Sequence, residues 1–224
     1  MASDLTPSES IQSIHPELDE QDSSRLYIIY RKRWRRRYEV KSAADQLIYF
    51  GEVSNFKYAK PDLTLHRGTS VDAPVVAASK LLKFSGDLKL ALGDPDDVTN
   101  VQWEDMTRES SWMHQTYRFE VNMSSRSEGI HGQRRALLWK RTRSVGVDDT
   151  TPSWNPRNFK LIDERSGDLV AVFTSKRSIG QCGRLQIKED HGEWFDTMVL
   201  LSYISLYERF ERRNRQAAAA AGGS

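Results

Sequence analysis

The sequence predicts a mainly β domain closed around a buried C-terminal α-helix, and three observations predict it. Short apolar runs with period-two alternation recur from residue 26 to residue 187, which is the spacing of half-buried strands. Clusters of Gly, Asp, Pro and Ser separate those runs and read as turns. The segment from Trp194 to Phe210 lacks the alternation; wound at a helical period, its apolar side chains cover nearly the whole circumference. A helix apolar all round is buried in a core or a membrane. The apolar stretch is about 14 residues, short of the roughly 20 that span a bilayer, so burial inside protein is expected.

The elements follow in chain order. Residues 1–24 hold six acids, several serines and no Lys or Arg. They bury too little apolar surface to offset ordering entropy, so a disordered acidic tail is expected. Residues 25–216 form the expected domain. Leu26–Tyr30 is a short apolar run, and Leu47–Phe50 is another, closed by Gly51. Leu63 and Leu65 alternate with Thr64 and His66. Lys80–Phe84 and Leu88–Leu92 read as a strand pair around Ser85-Gly86-Asp87. Tyr117, Phe119 and Val121 share one face, with Arg118 and Glu120 on the other. Phe159–Ile162 and Leu169–Phe173 flank Asp163–Asp168 and read as a hairpin. Leu185 and Ile187 alternate with Arg184 and Gln186. About ten to twelve candidate strands result, and such a series argues for a barrel or a sandwich. Residues 217–224 (AAAAAGGS) are expected to be a flexible tail.

Composition narrows the function classes. The 224 residues carry a net charge of +2, with 29% charged side chains, so there is no polyelectrolyte signal for nucleic acid. Because the tail is acidic, the body carries the basic excess and has some preference for anionic surfaces. The lone Cys182 implies no disulfide. Met1-Ala2-Ser3-Asp4 has neither the basic nor the apolar part of a secretory leader. An intracellular chain is expected, cytoplasmic with a membrane-peripheral or nuclear pool, and without a transmembrane span.

Several segments, in this order, carry a resemblance to a known family. They are Val71-Asp72-Ala73-Pro74-Val75-Val76-Ala77 leading into Lys83-Phe84, then Leu92-Gly93-Asp94-Pro95, Trp103-Glu104-Asp105-Met106 and Tyr117-Arg118-Phe119-Glu120. Leu138-Trp139-Lys140-Arg141-Thr142, Leu161-Ile162-Asp163-Glu164, Val170-Ala171-Val172-Phe173, Gly183-Arg184-Leu185 and the run from Trp194 to Leu201 follow. Across residues 26–213 the chain resembles the Tubby C-terminal-like superfamily, which includes phospholipid scramblases and LURP-one-related proteins, and within it an uncharacterised fungal branch. The resemblance implies a closed antiparallel barrel of about twelve strands with the helix threaded through it. Some relatives bind phosphoinositides through basic side chains, and scramblase relatives move phospholipids under calcium control; neither site is carried onto positions here.

The densest charge is Arg31-Lys32-Arg33-Trp34-Arg35-Arg36-Arg37, six cations in seven residues. Such a cluster meets anionic headgroups at about 1 kcal/mol per cation, with Trp34 as an interfacial anchor. The same run suits nuclear import, and a solvated hairpin is the plain alternative. Arg141 and Arg143 fall on one face with Trp139 if the strand continues, and they extend the candidate lipid or partner contacts. Gly93-Asp94-Pro95-Asp96-Asp97 has oxygen ligands but not the spacing of a calcium loop, so a turn is expected. Cations flank Cys182 and would lower a thiol pKa, against an ordinary structural thiol. The five scattered histidines have no zinc spacing. No hydrolase elbow, P-loop or dinucleotide pattern is present, so no catalytic, metal or cofactor residue is assigned. The expected role is binding of anionic phospholipid or phosphoinositide at a membrane surface. A protein-interaction scaffold and a scramblase-like activity are the alternatives.

Overall fold

A computed structural model describes residues 25–32, 34, 36–54, 60–82, 85–110, 115–123, 134–176, 178 and 180–222. The acidic segment 1–24, Arg33 and Arg35 of the basic cluster, and Lys83 and Phe84 lie outside the described residues. Twelve strands are followed by one long helix. The strands are β1 (Leu26–Lys32), β2 (Arg37–Ser42), β3 (Leu47–Val53), β4 (Leu63–Arg67), β5 (Val75–Leu81) and β6 (Leu88–Leu92), then β7 (Gln102–Ser110), β8 (Gln115–Asn122), β9 (Arg134–Arg141), β10 (Phe159–Asp163), β11 (Leu169–Ser175) and β12 (Gln181–Ile187). The helix is α1 (Glu193–Ala221).

Each strand pairs antiparallel with its sequence neighbours, and β12 returns to pair with β1. The result is a closed barrel, the solution that leaves no sheet edge unpaired. The alternation read from sequence decides which side chains point inward: Tyr27, Ile29 and Arg31 on β1, Phe159, Leu161 and Asp163 on β10. The strand before the Ser85-Gly86-Asp87 turn is Val75–Leu81 rather than Lys80–Phe84, because Val75 to Ser79 are in register with β4 and Leu81 with Leu88 of β6.

The bore is filled by α1. Every residue from Phe195 to Glu208 is buried, as the all-round apolar pattern requires. Gly192 opens the helix at φ 84°, a left-handed backbone that glycine adopts without a Cβ penalty. The few polar side chains on the buried part each meet the wall. The Tyr27 hydroxyl donates to Asp196 at 2.8 Å, Thr197 lies 3.1 Å from the Tyr49 hydroxyl, and Trp139 Nε1 donates to Ser202 at 2.9 Å. Ser205 donates to Ser79 at 2.7 Å. Apolar packing alone is indifferent to small slips of a helix in a bore; buried polar pairs are not, since each slip leaves them unsatisfied.

The helix also runs further than expected, through the alanines to Ala221, so the boundary placed after residue 216 falls within it. At ~1.5 Å per residue its 29 residues reach about 43 Å, more than five to nine strand residues span. Residues 213–222 are exposed, from the barrel mouth outward.

Candidate functional site

Strand direction sorts the ends. Tyr27, early in β1, meets Asp196 near the start of α1, whereas Arg31, late in β1, meets Glu208 in its second half. Every odd-numbered strand therefore ends where the helix leaves the barrel, and every even-numbered strand begins there. This places Arg31, Lys32, Trp34, Arg36 and Arg37 of the first hairpin at the same end as Arg141 and Arg143, four strand positions apart around the barrel. Arg209, Arg212, Arg213 and Arg215 of α1 stand between them.

The first hairpin divides its charges. Arg31 is not the surface contact expected: it follows Tyr27 and Ile29 on the inward face and is buried. Its Nη2 pairs with Glu208 at 3.0 Å, its Nε donates to the Tyr38 hydroxyl at 3.0 Å, and that hydroxyl donates to Glu208 at 2.8 Å. A buried guanidinium needs such partners, because uncompensated charge in a core is strongly destabilising. Arg37 is also engaged, 2.7 Å from Glu39 and with its guanidinium over the Phe50 ring. Lys32 is exposed and 3.6 Å from Glu39. Trp34 is fully solvent-exposed, and Arg36 is exposed in a left-handed turn conformation at φ 49°. Arg141 ends β9 and lies over the Phe210 ring at 5.9 Å. Arg143 falls beyond the strand rather than on it, with its guanidinium over exposed Trp154 at 5.9 Å.

Glu208 is the hub of the interior. Besides Arg31 it takes Arg212 at 3.3 Å and Arg215 at 2.9 Å, and Arg212 also pairs with Asp62 at 2.6 Å. Glu211 pairs with Arg157 at 2.5 Å. Burial alone would raise the Glu208 carboxyl; the Arg31 charge, the Tyr38 hydroxyl, and Arg212 and Arg215 outweigh it and hold it below the usual carboxylate range. Cys182 lies nearby, but burial pushes its thiol up to about 12 despite Arg31 and Arg157. It therefore stays a protonated core thiol at neutral pH.

Among the described residues, two cavities flank α1. One, of about 330 Å³ at the basic end, is lined by Arg36, Val53, Ser54, Glu208, Arg212 and Arg215. The other, of about 390 Å³ at the opposite end, is lined by Arg67, Val75, Leu92, Gln102, Glu193 and Trp194, and its one cation is paired with Glu193. The acidic turn after β6 spends its carboxylates on itself: Asp94 accepts from the Asp96 amide, and Asp97 from Thr99 and Asn100.

The arginines missed by sequence reasoning are Arg108, Arg157 and those of α1. A helical projection of Glu208, Arg209, Glu211, Arg212 and Arg213 carries the signal, since charges there follow an apolar helix directly into the barrel mouth. No helix among the described residues is long and apolar enough to cross a membrane. No protein-family model, no curated protein and no solved structure matches the chain.

Proposed function

We propose that the chain is a peripheral module that engages anionic phospholipid surfaces with the helix-exit end of its barrel, and that it belongs to the Tubby C-terminal-like superfamily it resembles. The observation that carries the membrane reading is that arginines from β1–β2, from β9 and from α1 share one end with two exposed tryptophans, Trp34 and Trp154. Cations near a headgroup layer contribute about 1 kcal/mol each, and tryptophan favours the interface itself. The helix side chains fill the bore, which favours surface engagement over passage of lipid through the interior.

Co-sedimentation with vesicles tests this. Binding is expected to vesicles containing phosphatidylserine and not to pure phosphatidylcholine. It should weaken as salt shortens the Debye length to ~10 Å at 0.1 M, and weaken further in Trp34→Ala with Arg36→Glu. Equal absence of binding to both vesicle types at low salt would end the proposal.

A further inference from the structure

We propose that the layer between α1 and the β7–β8–β9 wall, at the helix-exit end, is a binding site for one phosphate-class oxyanion, held by Arg108, Arg209 and Arg213 around the Tyr117 hydroxyl. Strand register builds this layer. Arg108 faces Tyr117 across β7–β8, and Tyr117 faces Trp139 across β8–β9. Period-two parity puts Arg108 on the inward face of buried Met106, and Arg141 on that of buried Trp139. Arg209 and Arg213 approach from the helix, one turn apart. Arg209 donates to the Gly86 carbonyl, and the Arg108 side chain runs past the same glycine.

Three buried polar atoms here have no hydrogen-bond partner: the Tyr117 hydroxyl, Arg108 Nε and Arg209 Nε. Tyr117 is fully buried. A buried hydroxyl left unsatisfied is costly and rare in a native interior. Three within one layer, all able to donate, point to an acceptor that belongs among them. Charge points the same way. Among the described residues no carboxylate forms an ion pair with Arg108, Arg209 or Arg213, and Asp87, whose charge reaches Arg108 and Arg209, already accepts from the Arg108 backbone amide at 2.8 Å. Burial, then the charges of Arg108 and Arg213, outweigh Tyr117 and Asp87 and hold Arg209 below the usual guanidinium range. Across the helix, the 330 Å³ cavity is the reverse case, its Arg212 and Arg215 paired with Asp62 and Glu208. A phosphate group is acceptor-only and multiply charged, which suits guanidinium forks and a phenol together.

The site goes beyond the membrane reading, because a soluble phosphate or a lipid headgroup phosphate satisfies the same donors. The full chain is titrated calorimetrically with inorganic phosphate against chloride at matched ionic strength, and sedimented with vesicles containing phosphatidic acid. Tyr117→Phe, Arg209→Gln and, from the part of α1 that lines the 330 Å³ cavity, Arg215→Gln are compared with the wild type. Saturable binding at one phosphate per chain is expected, weakened about tenfold or more in Tyr117→Phe and in Arg209→Gln, and kept in Arg215→Gln. Without phosphate, Tyr117→Phe should melt no lower than the wild type, since its hydroxyl has no partner to lose. If inorganic phosphate does not bind but phosphatidic acid vesicles do, with the same loss in Tyr117→Phe, the headgroup is the source. Binding of neither, or binding that Tyr117→Phe leaves unchanged, overturns the proposal. Loss of phosphate binding in Tyr117→Phe with its phosphatidylserine binding intact supports the site and leaves the membrane reading standing separately.

Discussion

Glu208 shows how much one buried group governs here. It pairs with Arg31, Arg212 and Arg215 at once and accepts from Tyr38. Glu208→Gln should lower stability by roughly 3 kcal/mol or more, because Arg31 is left buried without its main counter-charge; urea titration checks this. The pH dependence follows from the same contacts. The folded carboxyl is held below its unfolded value, so its contribution is complete above the unfolded value and is lost as pH falls through the folded one. Thermal melts from pH 7 downward should show the wild type losing more than Glu208→Gln does. Asp196 works in the opposite sense. Burial raises it despite Tyr27 and Arg25, so acidification relieves a cost there. Sequence identified Arg31 as a cation but not its direction, although its place two residues after Ile29 was the signal.

At the scale of elements, β12 and α1 depend on one glycine. Gly183 lies where an added Cβ would stand 2.2 Å from the Thr174 carbonyl oxygen and 2.4 Å from the Phe173 ring. That ring stacks on Tyr203 of α1 at 3.9 Å. Gly183→Ala must therefore shift backbone, or push Phe173 off the helix, and overpacking of this kind costs about 1–3 kcal/mol or more. A melting temperature within a degree of the wild type would contradict that geometry. The helix itself splits into two parts of unequal weight. Ending the chain after Gly192 should abolish cooperative folding, since the bore then has no filling. Ending it after Gln216 removes, among the described residues, only exposed ones and should leave the melt nearly unchanged. Sequence reading found the buried part from its apolar circumference. It missed the extension because polyalanine, an excellent helix former, carries no periodic pattern to read.

The whole molecule is polarised along the barrel axis. The helix enters at one end among Arg25, Asp190 and Asp196, and leaves at the other among arginines contributed by widely separated segments. Arg31, Arg108, Arg141, Arg157 and Arg212 have little in common in sequence. A meander of alternating strands brings them together because it returns every second turn to the same end. Net charge near +2 hides this polarity entirely, and it is the polarity, not the total, that steers an anionic partner.

By itself the sequence determined most of the strands, the buried helix and their order, because strand and helix periods are local properties of neighbouring side chains. It also marked the first hairpin as the densest local charge. Only the tertiary structure decided which of those charges are spent. Whether an arginine faces water, a buried glutamate or an unpartnered tyrosine depends on residues tens to more than a hundred positions away, brought within hydrogen-bond reach by barrel closure. Neutralisation falls off within a few ångströms, and no local pattern records which distant carboxylate arrives.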